Sequence, residues 1–253
     1  MNTFSEGPII TSWEHMYEYE ASLNESIGAK ERFILLSKYA GKIISQPKVI
    51  KILDGGGTTV TSYVLKKIFP GSFVVSVNLE GKNDIADVSI EGSLSDYKKI
   101  IELSRIEEFD IIFLGEVFEH LFSPYNIMKN LITLIKPSGY LIVTTPNLAD
   151  IYNRLLLLLG QPLHNYRPIG ASPNEDHVTL VTKKQMLNLL RKNLLLDVIA
   201  VDGYSYLERK IIVEPENKHA QSGRKFRFVR AIVNKFAPLN FREGIFYIAK
   251  KIP

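Results

Sequence analysis

A chain of 253 residues, 45% of them hydrophobic, is long enough to bury one generous core, or one domain with appendages. Its net charge of +4 and pI near 9.0 are too mild to argue for nucleic acid. Cysteine is absent, which excludes disulfides, a thiolate nucleophile and a cysteine zinc site.

From the first residue, no basic-then-apolar leader pattern is read, and the expected setting is soluble and cytoplasmic. The longest strongly apolar run, Leu155 to Leu159, falls far short of the ~20 residues that a bilayer-spanning helix needs. Residues 11 to 45 are predicted helical, with Phe33, Leu36, Ala40 and Ile43 on one stripe and Trp13, His15, Tyr17 and Tyr19 ahead of it. Residues 1–46 are therefore read as an N-terminal helical segment, either packed on a sheet or closing over a ligand as a lid. Residues 47–253 form the main domain.

Val49 to Leu53 reads as a buried strand. It runs into Asp54-Gly55-Gly56-Gly57, and Val60, Val64, Leu65 and Ile68 then recur at helical spacing. This is a strand, a tight turn and a helix start, capped by Thr58 or Thr59. Glycines there let the main chain take positive φ and let a ligand come close. Asp54, at the carboxyl end of a strand, can accept hydrogen bonds or hold a cation. Phe69-Pro70-Gly71 stops the helix. Phe73 to Asn78 is the second strand. An acid is expected at its end for ribose hydroxyls, but Asn78 stands there and Glu80 is the nearest carboxylate.

A short third strand is predicted over Ile85 to Ile90, closed by Glu91-Gly92, and a helix over Leu94 to Leu103. Phe109 to Leu114 is a strong buried strand leading into Gly115-Glu116-Val117-Phe118-Glu119-His120-Leu121. Ser123-Pro124 supplies an N-cap and a first-turn proline for a helix whose apolar face is Ile127, Leu131, Leu134 and Ile135. Lys136 to Gly139 stops that helix, and Tyr140 to Thr145 is the fifth strand, ending in Pro146-Asn147. This cadence predicts a parallel, doubly wound sheet with its strand ends gathered around one cleft.

Residues 148–181 read as an insertion: a helix over Ala149 to Leu159, then a loop over Gly160 to Asp176. Tyr152 to Leu159 is read as core or a dimer face, with a wall for an apolar or lipid-linked acceptor as the alternative. Thr182 and Gln185 form a capping box for a helix carrying Met186, Leu189 and Leu190. Leu194 to Val201 is a sixth strand and Gly244 to Lys250 the last. Between them, in the basic segment 215–240, Lys218 to Lys235 contains six Lys/Arg and no acid. That is a solvated face or a contact for an anionic partner such as a phospholipid headgroup.

Taken together, three stretches resemble the class I S-adenosylmethionine-dependent methyltransferases. They are Ile52 to Gly57, Phe109 to Leu121, and Leu134 to Asn147, the last similar to the family's "LKPGGxLxxxTPN" element. The resemblance covers residues ~48 to 202. It implies a Rossmann-like α/β fold with a seven-stranded sheet, six strands parallel and the last antiparallel beside the sixth. It implies S-adenosylmethionine as cofactor, with Asp54, Gly55, Gly56 and Gly57 at the methionine end. Asn78, Leu79 and Glu80 would lie at the ribose, Glu91 near the adenine, and Gly115 and Glu116 along the other side. Thr58 and Val60 depart from the family, which often has further glycines there.

Methyl transfer to a hydroxyl benefits from a base. His120, His164 and His177 are candidates, with His120 and His177 preferred. Glu116-x-x-Glu119-His120 has the residue types of a metal cluster but lacks further ligands nearby in sequence, and no metal is expected. The favoured reading is a methyltransferase for a small-molecule acceptor, glycan or lipid-linked, with oxygen as the methylated atom. A nicotinamide-dependent oxidoreductase and a catalytically silent binding protein are the rivals. Nucleic acid is not expected as a partner; a homodimer or a peripheral contact with anionic membrane fits the apolar and basic segments.

Overall fold

A computed structural model describes residues 30–43, 49–79, 81–106, 108–163, 177–205 and 238–253, with the side chains of 103 and 104 left aside. The elements in chain order are α1 (Glu31–Ile43), β1 (Lys51–Gly55), α2 (Thr59–Ile68), β2 (Phe73–Asn78), β3 (Val88–Glu91) and α3 (Tyr97–Ser104). Then come β4 (Phe109–Gly115), a 3₁₀ turn (Phe118–His120), α4 (Pro124–Thr133), β5 (Ile135–Pro146) and α5 (Ile151–Leu158). Helix α6 (Lys183–Asn188) runs into a π turn (Leu189–Asn193), followed by β6 (Leu196–Tyr204) and β7 (Gly244–Lys251). The basic run, Glu80, His164 and the residues before Lys30 lie outside the described residues.

The strands form one seven-stranded sheet in the order β3-β2-β1-β4-β5-β7-β6. Neighbours from β3 to β5 are parallel, and β7 is antiparallel to both β5 and β6. The sheet is thus six strands one way and one the other, as the resemblance implies. Strand order reverses between β1 and β4, which places the topological switch point, the usual ligand crevice of such sheets, at their carboxyl ends.

The period-2 alternation of strands sorts side chains onto two cores. In β4, Ile112 and Leu114 join Leu53, Val77, Phe118, Met128 and Leu131 on one face. Ile111 and Phe113 join Phe33, Leu36, Ile52, Val60 and Val64 on the other. Burial on both faces explains why Ile111 to Leu114 reads as an unbroken apolar run. The predicted stripe of α1 is core in Phe33, Leu36 and Ile43.

Several predicted boundaries move, each for a local reason. The third strand starts at Val88 because the Asn83 side-chain oxygen accepts the N–H groups of Ile85 (3.3 Å) and Ala86 (3.2 Å), holding 83–86 in a turn. Lys136 to Gly139 lies inside β5 as an irregularity. Ser138 has φ 64°, the register against β4 shifts there, and Lys136 Nζ pairs with Asp110 Oδ2 at 2.8 Å. Ser123 precedes α4 without a side-chain cap bond, while Pro124 does occupy its first turn. Leu195, at φ 53°, delays β6, which then pairs with β7 as far as Tyr204. The core reading of 152–159 does not hold for four of its five leucines: Leu155, Leu157, Leu158 and Leu159 are all more than half exposed.

The capping box of α6 is in place. Gln185 N donates to Thr182 Oγ1 at 3.2 Å, and Thr182 N donates to Gln185 Oε1 at 2.9 Å. Replacing Thr182 by alanine is expected to lower stability by about 1 kcal/mol in urea unfolding. A change under about 0.3 kcal/mol would mean that water serves the helix end equally well. Among the described residues, no helix is long and apolar enough to cross a membrane.

Candidate functional site

The turn after β1 is built from beneath. Gly56 has φ 72°, its N–H bonds Val77 O at 2.7 Å, and a Cβ there would overlap the Val117 side chain. Only glycine combines that φ with that approach. A Cβ at Gly55 would collide with the leucines Leu94 and Leu114, so this glycine lets apolar side chains close under the turn. Asp54 is buried, and its Oδ2 accepts Thr61 Oγ1 and Ser62 Oγ, each at 2.8 Å. Burial pushes its pKa up to about 6, with Ser62, Thr61 and Arg32 pulling the other way. Asp54 therefore ties the glycine turn to the first turn of α2. Thr58, not Thr59, is the cap, in a reciprocal box with Thr61.

Asn83, which sequence reasoning missed as a site residue, completes this knot. Its Nδ2 donates to Thr58 O (3.0 Å), Ser62 Oγ (3.0 Å) and Ser76 Oγ (2.9 Å). Asn78 has a related task. Its Nδ2 donates to Gly57 O at 2.8 Å, while its Oδ1 accepts the N–H of Gly81. An ionised aspartate could make only the second bond, having no donor. The amide in place of the expected acid thus latches the loop after β1 to the loop after β2.

Strand β4 ends in Gly115 and Glu116. Glu116 is in the left-handed region at φ 60°, uncommon for a residue with a Cβ and a feature that gathers at working sites. Its N–H bonds Thr144 O (3.2 Å) and Thr144 Oγ1 (3.1 Å), and its carboxylate accepts the hydroxyl of Tyr204 from β6. Glu119 is 1% exposed, with Oε2 accepting Thr145 Oγ1 at 3.3 Å. Burial, then the nearby Glu116 charge, raise Glu119 well above the carboxylate range, against its own backbone bond, Arg32 and Thr145.

Two main-chain donors bind one oxygen here. Val178 N and Thr179 N both donate to Glu119 O at 2.9 Å, and Thr179 Oγ1 donates to Leu121 O at 2.7 Å. The segment 177–179 is thereby stitched to the turn after β4. This brings the His177 ring edge-on to His120, with centroids 4.9 Å apart.

Above these elements lies a cavity of about 1110 Å³. Its walls come from four strand ends: Gly56 to Thr59, Val77 to Leu79 with Lys82, Gly92 to Ser95, and Glu116 with Val117. A further wall comes from His120 to Ser123, Val178 and the α4 residues Asn126, Ile127 and Asn130. Of the implied cofactor residues, Gly56, Gly57, Asn78, Leu79 and Glu116 line it. Asp54, Gly55, Glu91 and Gly115 do not line it, and next to Glu91 it is Gly92 to Ser95 that reach the cavity. Of the candidate bases, His120 lines the cavity, whereas His177 is not on its wall and packs edge-on against His120. Asn126 and Asn130 were missed; their spacing of four on a helix was the available signal.

An adenosyl ligand fits what is present. The apolar walls Val77, Leu94, Val117 and Ile127 suit a flat base, and the bare Gly56-Gly57 backbone leads to the N-terminus of α2. The volume slightly exceeds the ~300–1,000 Å³ of ordinary small-molecule sites, so a second molecule can lie beside the first.

Comparison with known proteins agrees with this geometry. The sequence family described as "Methyltransferase domain" matches residues 35–193. A SAM-dependent methyltransferase from Archaeoglobus fulgidus is similar in structure, with TM-score 0.55, 16% identity, and 95% of this chain and 100% of that one covered. A Burkholderia thailandensis 1,6-didemethyltoxoflavin-N1-methyltransferase, solved with 1,6-didemethyltoxoflavin and S-adenosylhomocysteine, has TM-score 0.52 and 12% identity, covering 100% of this chain and 94% of that one. A Haemonchus contortus phosphoethanolamine N-methyltransferase 2, solved with S-adenosyl-L-methionine, has TM-score 0.56 and 12% identity over 95% of this chain and 57% of that one. No curated protein sequence matches. With its matched family, its strand order and its cavity over a glycine turn, the chain belongs to the methyltransferase domain family, as a class I S-adenosylmethionine-dependent methyltransferase.

Proposed function

We propose that the chain methylates a hydroxyl of a small-molecule acceptor that lies in the cavity between the glycine turn and the His120–His177 pair. The observation that carries this reading is the shape of the cavity: it runs from Gly56 and Gly57 to His120 without a break. S-adenosylmethionine, when bound, supplies an electrophilic methyl group on a sulfonium. The protein's part is then placement, which is worth ~7–11 kcal/mol of barrier when the reacting atoms are aligned.

Each part of the wall has a task. Gly56 and Gly57 leave the methionine end room, Asn78 keeps the two loops at fixed separation, and Ser93, Leu94 and Ser95 meet the base. Glu116 is held in place by Tyr204. At the far end, His120 or His177 takes the acceptor's proton. The exposed Phe122 on the cavity wall favours an acceptor with an apolar or lipid-linked tail over a bare sugar. The family match weighs against a nicotinamide enzyme, which shares only the strand-glycine-helix unit.

S-adenosylhomocysteine at about a hundred times its dissociation constant is expected to raise stability by about 2.7 kcal/mol in denaturant unfolding, with NADH adding nothing. The converse result would return the dehydrogenase reading. Labelled cofactor offered with hydroxyl-bearing metabolites, with and without an acyl tail, tests the acceptor. Label recovered only on nitrogen or carbon would end the O-methylation reading, and no transfer to any acceptor would favour the silent one.

A further inference from the structure

Three side chains with metal-ligating atoms meet at the His120 end of the cavity. One carboxylate oxygen of Glu119 and one ring nitrogen each of His120 and His177 lie within 4.8 Å of one another. We propose that Glu119, His120 and His177 form a binding site for a divalent transition cation. Two imidazoles and a carboxylate suit zinc, manganese, cobalt or iron(II) better than magnesium or calcium, which favour oxygen alone.

Three features argue that this is more than proximity. The two halves of the set come from distant parts of the chain, yet their main chains are fixed by bonds that leave the ligating atoms unused: Val178 N and Thr179 N to the main-chain Glu119 O, and Thr179 Oγ1 to Leu121 O. Glu119 is nearly inaccessible, and Thr145 Oγ1 reaches its Oε2 only at a long 3.3 Å. Buried charged groups are characteristically paired or bound to a metal. Finally, His120 is exposed and lines the cavity, so an ion held by this set would be reachable from the cavity.

The binding itself does not depend on the methyl-transfer reading. What the cation would do there does rest on it: it would hold the acceptor oxygen and favour its ionised form, with the imidazoles serving as ligands in place of bases. Three coordinating protein groups with open positions are the arrangement of a working site more than of a closed structural one.

The test uses the full, untagged chain, stripped with EDTA, dialysed, and titrated separately with Zn²⁺ and Mn²⁺ by calorimetry. Co²⁺ is added as a spectroscopic probe of nitrogen ligation. One-to-one uptake is expected for the wild type. His177→Ala, His120→Ala and Glu119→Gln are each expected to weaken uptake at least about thirtyfold. Each variant is also titrated with S-adenosylhomocysteine, whose affinity should change less than about threefold, showing that the fold and cofactor end are intact. Absence of stoichiometric uptake by the wild type overturns the proposal. So does uptake that survives His177→Ala and Glu119→Gln unchanged, since the metal would then sit elsewhere. Failure of S-adenosylhomocysteine to bind, with metal uptake intact, would instead count against the cofactor reading and leave the metal site standing.

Discussion

His177→Ala is expected to lower methyl-transfer turnover by about 10²–10⁴-fold, with S-adenosylhomocysteine affinity changed less than about threefold. The asymmetry follows from position. His120 lines the cavity and His177 packs against it edge to face at 4.9 Å, on a wall separate from the glycine turn and from residues 92–95. Removing either imidazole takes away a proton acceptor or a ligand without touching the cofactor's walls. His120→Ala is expected to act in the same direction, because His120 itself lines the cavity. Single-turnover kinetics beside calorimetry with S-adenosylhomocysteine separate the two effects. Full turnover in both variants would remove these histidines from the chemistry. EDTA treatment of the wild type distinguishes their modes. If the imidazoles hold a cation, chelation reproduces the loss; if one of them is a plain base, turnover survives it.

The second large effect is on stability and runs against the common trend for carboxylates. Asp54 has its pKa raised by burial from 3.8 to about 6 in the fold. Between those values the folded chain holds a proton that the unfolded chain has released. This contribution to stability is therefore complete below about pH 4 and is lost as pH rises through about 6. It amounts to about 3 kcal/mol from the size of the shift. Glu119, also raised by burial and by Glu116, adds a loss of the same sign.

Asp54→Asn removes the titration while keeping an oxygen for Thr61 or Ser62. Its stability relative to the wild type is expected to improve by about 3 kcal/mol from pH 4 to pH 7.5, in ligand-free urea unfolding. A constant difference between the two proteins across that range would show that the carboxylate is already ionised at pH 4, held by its two hydroxyl donors.

Much of this was legible in the chain because it is written locally. An apolar run followed by Asp54 and three glycines specifies a strand and a turn, and the capping boxes of α2 and α6 lie within four residues of each helix start. Where local reading failed, a side chain had acted on backbone out of pattern. Asn83 turned 83–86 away from the sheet, and Lys136 with Ser138 bulged β5 where a break was expected. The leucines of α5 looked like core because composition cannot tell which side of a helix another element will cover.

By itself, the sequence determined the strand-turn-helix rhythm, the glycine bend and the kinship with methyltransferases, since these rest on periodicity and short-range turn chemistry. Only the tertiary structure decided that Asn78 is a latch, that Asp54 and Asn83 knot the turn from below, and that His177 stands against His120 and Glu119. Those meetings depend on strand order and on which backbone groups two distant loops share. Neither is encoded in the spacing of the residues that meet.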